Sequence, residues 1–561
     1  MTEQNSQVPR GLIPARSPGW RGGWRRPDGW TLAAGLIAVV VLLPIVSVLW
    51  IAATPVENIW PHLIATVLPR YLGNTVVLML GVGGLTAAVG TGAAWLLAMY
   101  RFPGARVLDY ALLLPLAVPA YVGAFALVDF LEYAGPVQTA LRDLMGWQSM
   151  RDYWFPQIRS RGAAVVVLSA ALYPYVYLLA RAAFREQSGC AYEVARALGA
   201  GPWGLFWRVG LPLARPAIAA GVALAAMETV NDYGTVTFFG VQTLTTGIFT
   251  TWLSGGNAGG AAQLALVILA LVLALVGIER MGRRNLRFHR LSRAARPIAP
   301  ATLTGGRAWV ATGLCLVPLA VGFLLPVGVL SLHALENPQA WVSPGLLRAL
   351  ANTLVTGGSA AALTVGAALF LVYGMRLAGR GMPRWLLPVT MLGYAAPGAV
   401  LAVGLLIPLA ALDNRVADLV EGLTGWDPGL ILTGTPAALV LAYTVRFFGI
   451  AQGAVDSAFG RISPSLPMAA RSLGRSAGGA LRAVYLPLMQ RSVATALLVV
   501  FVDCVKELPA TLLLRPFNYD TLATRVMEKA SLENLGDAAP AALLVTLVGL
   551  AAVALMARAN R

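Results

Sequence analysis

Apolar residues run along this chain in blocks of about twenty, separated by short breaks that carry the charges, prolines and glycines. Thr31 to Ala53, Ala261 to Ile278 and Ala538 to Ala557 are the clearest blocks, and none contains a charged residue. A bilayer core about 30 Å thick takes about 20 residues of helix. In lipid a helix satisfies its own backbone, whereas barrel strands would be about ten residues long with alternating polarity. The pattern therefore predicts an all-α polytopic membrane protein. It places twelve spans, starting near residues 30, 74, 107, 162, 216, 260, 309, 352, 385, 430, 491 and 538.

The blocks repeat. Asn74-Thr75 opens the second span and Asn352-Thr353 the eighth; Pro119 recurs at the same offset as Pro397. Before span 5 the chain reads Glu193-Val194-Ala195, Gly199, Leu211-Pro212. Before span 11 it reads Met468-Ala469-Ala470, Gly474, Leu486-Pro487, every element 275 residues later. An even number of spans per half keeps the two copies parallel, so a six-plus-six duplication is expected. The expected divisions are an Arg-rich arm (1–29), a first half (30–280), a basic linker (281–308) and a second half (309–561).

Composition agrees: 58% of the 561 residues are hydrophobic and 12% charged, outside the range of soluble domains. The net charge of +17 does not point to nucleic acid, because the basic residues are spread along span ends instead of clustering on one domain. With the arm placed in the cytoplasm, most Lys and Arg residues fall in cytoplasmic segments and Lys506 within a span. The positive-inside rule then puts both termini inside. The arm, with Arg10, Arg16, Arg21, Arg25 and Arg26, reads as retained. Cys190, Cys315 and Cys504 lie far apart and His62, His289 and His333 sit near none of them, so no metal-site or disulfide spacing appears. The only lysines, Lys506 and Lys529, are followed by Glu507 and Ala530, so a phosphate-binding Gly-Lys-Ser/Thr loop is absent. No His-Glu-x-x-His or Gly-x-Ser-x-Gly string suggests an enzyme.

The repeated loop has a physical reading. Residues 193–198 and 468–473 read as short helices ended by a glycine, which tolerates the left-handed backbone of a tight turn. A second segment then leads to a proline at the start of the next span. Each copy is thus a helix-turn-helix, with Arg196, Arg208 and Arg215, or Arg471, Arg475, Arg482 and Arg491, placing it on the cytoplasmic side.

These strings resemble the signature of the permeases of binding-protein-dependent ABC importers: Glu-Ala-Ala, three residues, Gly, nine residues, an aliphatic, one residue, Leu-Pro. Glu193, Ala195, Gly199, Val209, Leu211 and Pro212 match it, as do Ala469, Ala470, Gly474, Val484, Leu486 and Pro487. The resemblance implies the type I permease fold and a bacterial inner-membrane location. It also implies that each loop is a coupling helix docking on one of two copies of a separate ABC ATPase. That partner would use the ATP, no cofactor would be bound by this chain, and a binding protein outside the membrane would deliver substrate. Met468 stands where the family usually has Glu, so the two docking contacts are expected to be unequal.

Glu228 and Asp232 lie one helical turn apart in span 5, and Asp503, Lys506 and Glu507 in span 11; the 275-residue offset maps the first carboxylate pair onto Asp503 and Glu507. Ionisable groups at this depth should face the bundle interior and mark a pathway. They either offer oxygen ligands to a passing cation or pair with Lys506 as a gate, and the gate is favoured. The strings Met227 to Val236, Val502 to Thr511 and Asn518 to Thr524 look like those of fused ferric iron permeases. Thiamine, polyamine and phosphonate importers share the architecture. A secondary transporter also has two six-span halves, but its Gly-x-x-x-Asp-Arg motif is not found between spans 2 and 3, where the loop is Arg101 to Arg106.

Overall fold

A computed structural model describes residues 29–284, 300–378, 385–391, 393, 396–463 and 465–559. Most of the predicted arm and much of the linker lie outside the described residues. Among the described residues eleven helices are long and apolar enough to cross a membrane: Gly29–Ala53, Leu68–Met99, Arg161–Glu186, Pro202–Asn231, Ala258–Glu279, Gly306–Glu336, Leu346–Ala378, Gly398–Thr424, Pro436–Gly460, Ala477–Lys506 and Leu535–Leu555. A twelfth span is broken. Ala105–Ala117 and Ala120–Met145 meet at 95°. In chain order these are spans 1 to 12, the broken one being span 3.

The break falls at Val118-Pro119. Proline lacks an N–H and disfavours helix at the residue before it, and Pro119 is extended (φ −59°, ψ 142°) ahead of the helix that follows. Pro397 has the same conformation (φ −55°, ψ 149°) ahead of Gly398–Thr424. These prolines therefore begin helices, Pro119 the second segment of broken span 3 and Pro397 span 9.

Spans 2, 4 and 5 pack on one another, and spans 8, 10 and 11 repeat the arrangement. Equivalent hydrogen bonds fix the symmetry. Asn74 Nδ2 donates to the Gln242 carbonyl at 2.7 Å, and Asn352 Nδ2 to the Asp520 carbonyl at 2.9 Å. The Leu244 amide donates to Thr75 Oγ1, and the Leu522 amide to Thr353 Oγ1. Thr243 with Thr246 and Thr521 with Thr524 form matching capping boxes. The first span of each half bridges the two halves: span 1 packs on spans 8 and 9 as well as on span 6 of its own half, and span 7 on spans 2, 3 and 4 as well as on span 12 of its own half. Short strands Tyr100–Arg101 and Ala301–Thr302 pair in parallel and tie the chain before span 7 to the end of span 2.

The chain does not restart at Pro212 or Pro487, as the sequence reading expected. Single helical runs pass through both prolines, Pro202–Asn231 and Ala477–Lys506. Proline inside an α-helix clashes with the carbonyl four residues back and donates no bond to it. Here a π turn precedes each: Phe206–Gly210 before Leu211-Pro212 and Leu481–Tyr485 before Leu486-Pro487, with Leu211 bonding Phe206 and Leu486 bonding Leu481 five residues back. The wider turn absorbs the mismatch and the helix continues.

Candidate functional site

Each hairpin is built alike. Helix Gly189–Ala197 ends in a Schellman-type turn: the Gly199 amide bonds the Arg196 carbonyl at 2.9 Å and the Ala200 amide the Ala195 carbonyl at 2.9 Å. Ser465–Ser472 ends identically, through Gly474 to Arg471 (3.0 Å) and Arg475 to Ala470 (3.1 Å). Gly199 and Gly474 have φ of 83° and 82°, where any Cβ costs about 1–2 kcal/mol. The short helices present Glu193, Val194 and Leu198, or Met468, Ala469 and Leu473, to solvent, while Ala195 and Ala470 are half-buried beneath.

The two hairpins are anchored by different side chains. Tyr192 is buried, packs near Trp95 and hydrogen-bonds Gln187, whose Nε2 donates to the Gly210 carbonyl of the first π turn at 3.1 Å. Burial pushes the Tyr192 phenol up to about 12, so it remains a neutral donor. Under the second hairpin, Tyr373 packs on Phe459 and Tyr485, and its hydroxyl donates to the Ala477 carbonyl at 2.7 Å.

Between the halves lies a cavity of about 150 Å³. It is lined by Glu228, Asp232, Asp503, Lys506 and Glu507, which the structure thus brings together as the sequence led one to expect. Two details differ. The helix of span 5 ends at Asn231 and that of span 11 at Lys506, so Asp232 and Glu507 sit just past the helix ends instead of within them. Each binds the start of the following short helix: Asp232 accepts from the Val236 amide (3.0 Å) and the Thr235 hydroxyl (2.9 Å), and Glu507 Oε1 from the Ala510 amide (2.9 Å). Lys506 approaches Asp503 Oδ1 only to 3.7 Å, while its Nζ donates to the Leu116 carbonyl of the first half at 3.0 Å.

The partner of Glu507 is a residue the sequence reading passed over. Arg446 Nε lies 3.1 Å from Glu507 Oε2, and both side chains are nearly inaccessible, at 8% and 4%. Starting span 10 near residue 430 put Arg446 at a span end; the helix begins at Pro436, so Arg446 lies well inside it. A lone arginine in an apolar run was the available signal. The 275-residue offset places Ala171 opposite it in the first half, and Ala171 also lines the cavity.

Fold and cavity define a two-halved membrane permease whose halves meet at a charged constriction and each carry one exposed helix-turn-helix. Residues 89–287 match the family described as binding-protein-dependent transport system inner membrane component. The chain is 28% identical to the Fe(3+)-transport system permease protein FbpB 2 of Haemophilus influenzae, over 93% of this chain and 97% of that protein. It is 32% identical to the molybdenum transport system permease protein ModB of Escherichia coli, over 34% of this chain and 86% of ModB. A probable sulfate transport system permease protein, cysT of Chlorokybus atmophyticus, is 28% identical over 37% of this chain and 70% of its own length. The chain belongs to the family of binding-protein-dependent transport permeases; it is the membrane permease of an ABC importer.

Proposed function

We propose that this permease carries ferric iron across the bacterial inner membrane, driven by two copies of a separate ABC ATPase docked on the hairpins around Gly199 and Gly474. Both termini and the hairpins face the cytoplasm, and a binding protein on the opposite face delivers the substrate. The full-length similarity to a ferric iron permease supports the cargo, and so does the cavity, where four carboxylates face two cationic side chains. That balance suits a cation better than an oxyanion.

The observation that carries the mechanism is the tethering of the cavity carboxylates. Asp232 and Glu507 hold the short helices after spans 5 and 11, and Lys506 reaches across to the first half. Groups so engaged act as a gate: movement of the hairpins travels along the continuous helices Pro202–Asn231 and Ala477–Lys506 to the break points they hold. Leu211, Pro212, Leu486 and Pro487 lie on that route. Glu193 makes a polar docking contact that Met468 cannot, so the two ATPase contacts are unequal.

The test is ATP-dependent uptake in vesicles containing this chain, its ATPase and its binding protein, with ferric iron, molybdate and sulfate offered separately. Iron uptake requiring all three components supports the reading. Uptake of molybdate or sulfate instead discards iron, and ATP-independent uptake discards the coupling. In Glu228→Gln with Asp503→Asn, a gate alters transport per ATP with substrate preference unchanged; a changed preference with intact coupling would return these carboxylates to the role of ligands.

A further inference from the structure

Spans 2 and 8 share one register. Thr86 and Thr364 each return their hydroxyl to the carbonyl four residues earlier, at 2.7 and 2.6 Å. In that register Gly92 corresponds to Phe370. Phe370 stacks on Trp30 of span 1 with ring centroids 5.3 Å apart, so a side chain fills the angle between spans 8 and 1. A Cβ at Gly92 would meet nothing within 4 Å. The angle between spans 2 and 7 is correspondingly open: an apolar cavity of about 690 Å³ lies against Gly92, Leu96 and Leu314, and a second of about 470 Å³ shares those three residues and reaches Leu85.

From Leu85 to Tyr100 the wall of span 2 rises about 22 Å, enough for an acyl chain of one leaflet, which fills about half of a ~30 Å core. The chemistry changes at the hairpin end of the groove. There Trp203, Tyr100 and Arg307 line it, with Arg101 and Arg208 adjoining in sequence. Aromatic rings and arginines at a membrane boundary are what receives a lipid headgroup, and an anionic one by preference.

We propose that this groove holds one acyl chain of an anionic phospholipid, with its phosphate at Arg307. The lipid then touches Trp203 and Phe206, in the first turns of span 5 next to the first hairpin, and stiffens those turns on one half alone. The inference rests on the chain being a membrane permease and is independent of the cargo.

The experiment is native mass spectrometry of the full-length protein released from nanodiscs of equimolar palmitoyl-oleoyl phosphatidylglycerol and phosphatidylcholine. The wild type is expected to retain one phosphatidylglycerol, favoured about fivefold over phosphatidylcholine by a single arginine contact. Gly92→Phe installs the residue that the second half carries in the same register, and should cut retention at least tenfold. Arg307→Gln, at the surface, should remove the headgroup preference while a lipid chain is still retained. Wild type that retains no lipid or shows no preference overturns the proposal. So does Gly92→Phe protein of normal elution that retains as much lipid, or an Arg307→Gln preference equal to wild type, which decides the matter should Gly92→Phe misfold.

Discussion

Arg446 and Glu507 form a buried ion pair whose two members are not equally replaceable. Removing one partner from such a pair costs about 3–5 kcal/mol, because the other charge stays buried without compensation. Glu507 would keep the Ala510 amide at 2.9 Å, so Arg446→Met should fall at the low end, about 3 kcal/mol. Arg446 already has Nη1 buried without a hydrogen-bond partner, so Glu507→Gln should reach the high end, about 5 kcal/mol. Arg446→Met with Glu507→Leu removes both charges and leaves only the Ala510 amide lacking an acceptor, a loss of about 1–2 kcal/mol. An unfolding entropy of about 2.1 cal/mol/K per residue over roughly 500 residues gives about 1 kcal/mol per degree. The single variants should therefore lower the thermal midpoint in detergent by about 3–5 °C and the double variant by about 1–2 °C, as read by size-exclusion chromatography after heating. A double variant as unstable as the summed singles would refute the pairing, as would single variants indistinguishable from wild type.

Gly199→Pro or Gly474→Pro should abolish uptake while membrane levels stay normal; uptake assays paired with membrane immunoblots check this, and normal transport by both removes the coupling assignment. Met468→Glu restores the family's acid in the second hairpin and should tighten ATPase binding by no more than about fivefold, since exposed contacts contribute at most about 1 kcal/mol; titration of the ATPase onto the permease in nanodiscs measures it. Arg159 bridges Glu132 of the first half and Glu533 of the second, each at 2.9 Å. All three are exposed, so Arg159→Ala should change the thermal midpoint by less than about 1 °C, and that difference should vanish in 1 M salt. Amides of Ser149 and Gln148 donate to Asp152 and hold its carboxyl below the usual carboxylate range. A lowered folded-state value means the turn is supported above the ordinary carboxylate pKa and loosened as pH falls through the lowered one, so the protection of both amides against exchange, relative to the intrinsic rate at each pH, should fall in acid.

Much of this architecture was legible from residue order. Span count and six-plus-six division follow from apolar blocks and from recurrences such as Asn74 with Asn352, because lipid permits few alternatives to a helix. The hairpins were legible through Gly199 and Gly474, where a positive φ narrows the choice of residue. Three features were not. The packing of spans 1 and 7 across the two halves is a tertiary pairing without local signature. The π turns at 206–210 and 481–485 leave no mark on composition, and a proline ordinarily argues for a boundary. Arg446 was hidden by a six-residue error in one helix start.

The asymmetry of the cavity bears on how such a protein can be assembled. Opposite Arg446 and Lys506 stand Ala171 and Asn231. Two copies of the first half would crowd four acids together with neither base, and two copies of the second would double both. Only one of each gives the balance of four acids to two bases found here. Joining the halves in a single polypeptide guarantees that stoichiometry at synthesis, so the two halves are free to diverge in sequence without any risk of self-association between like copies.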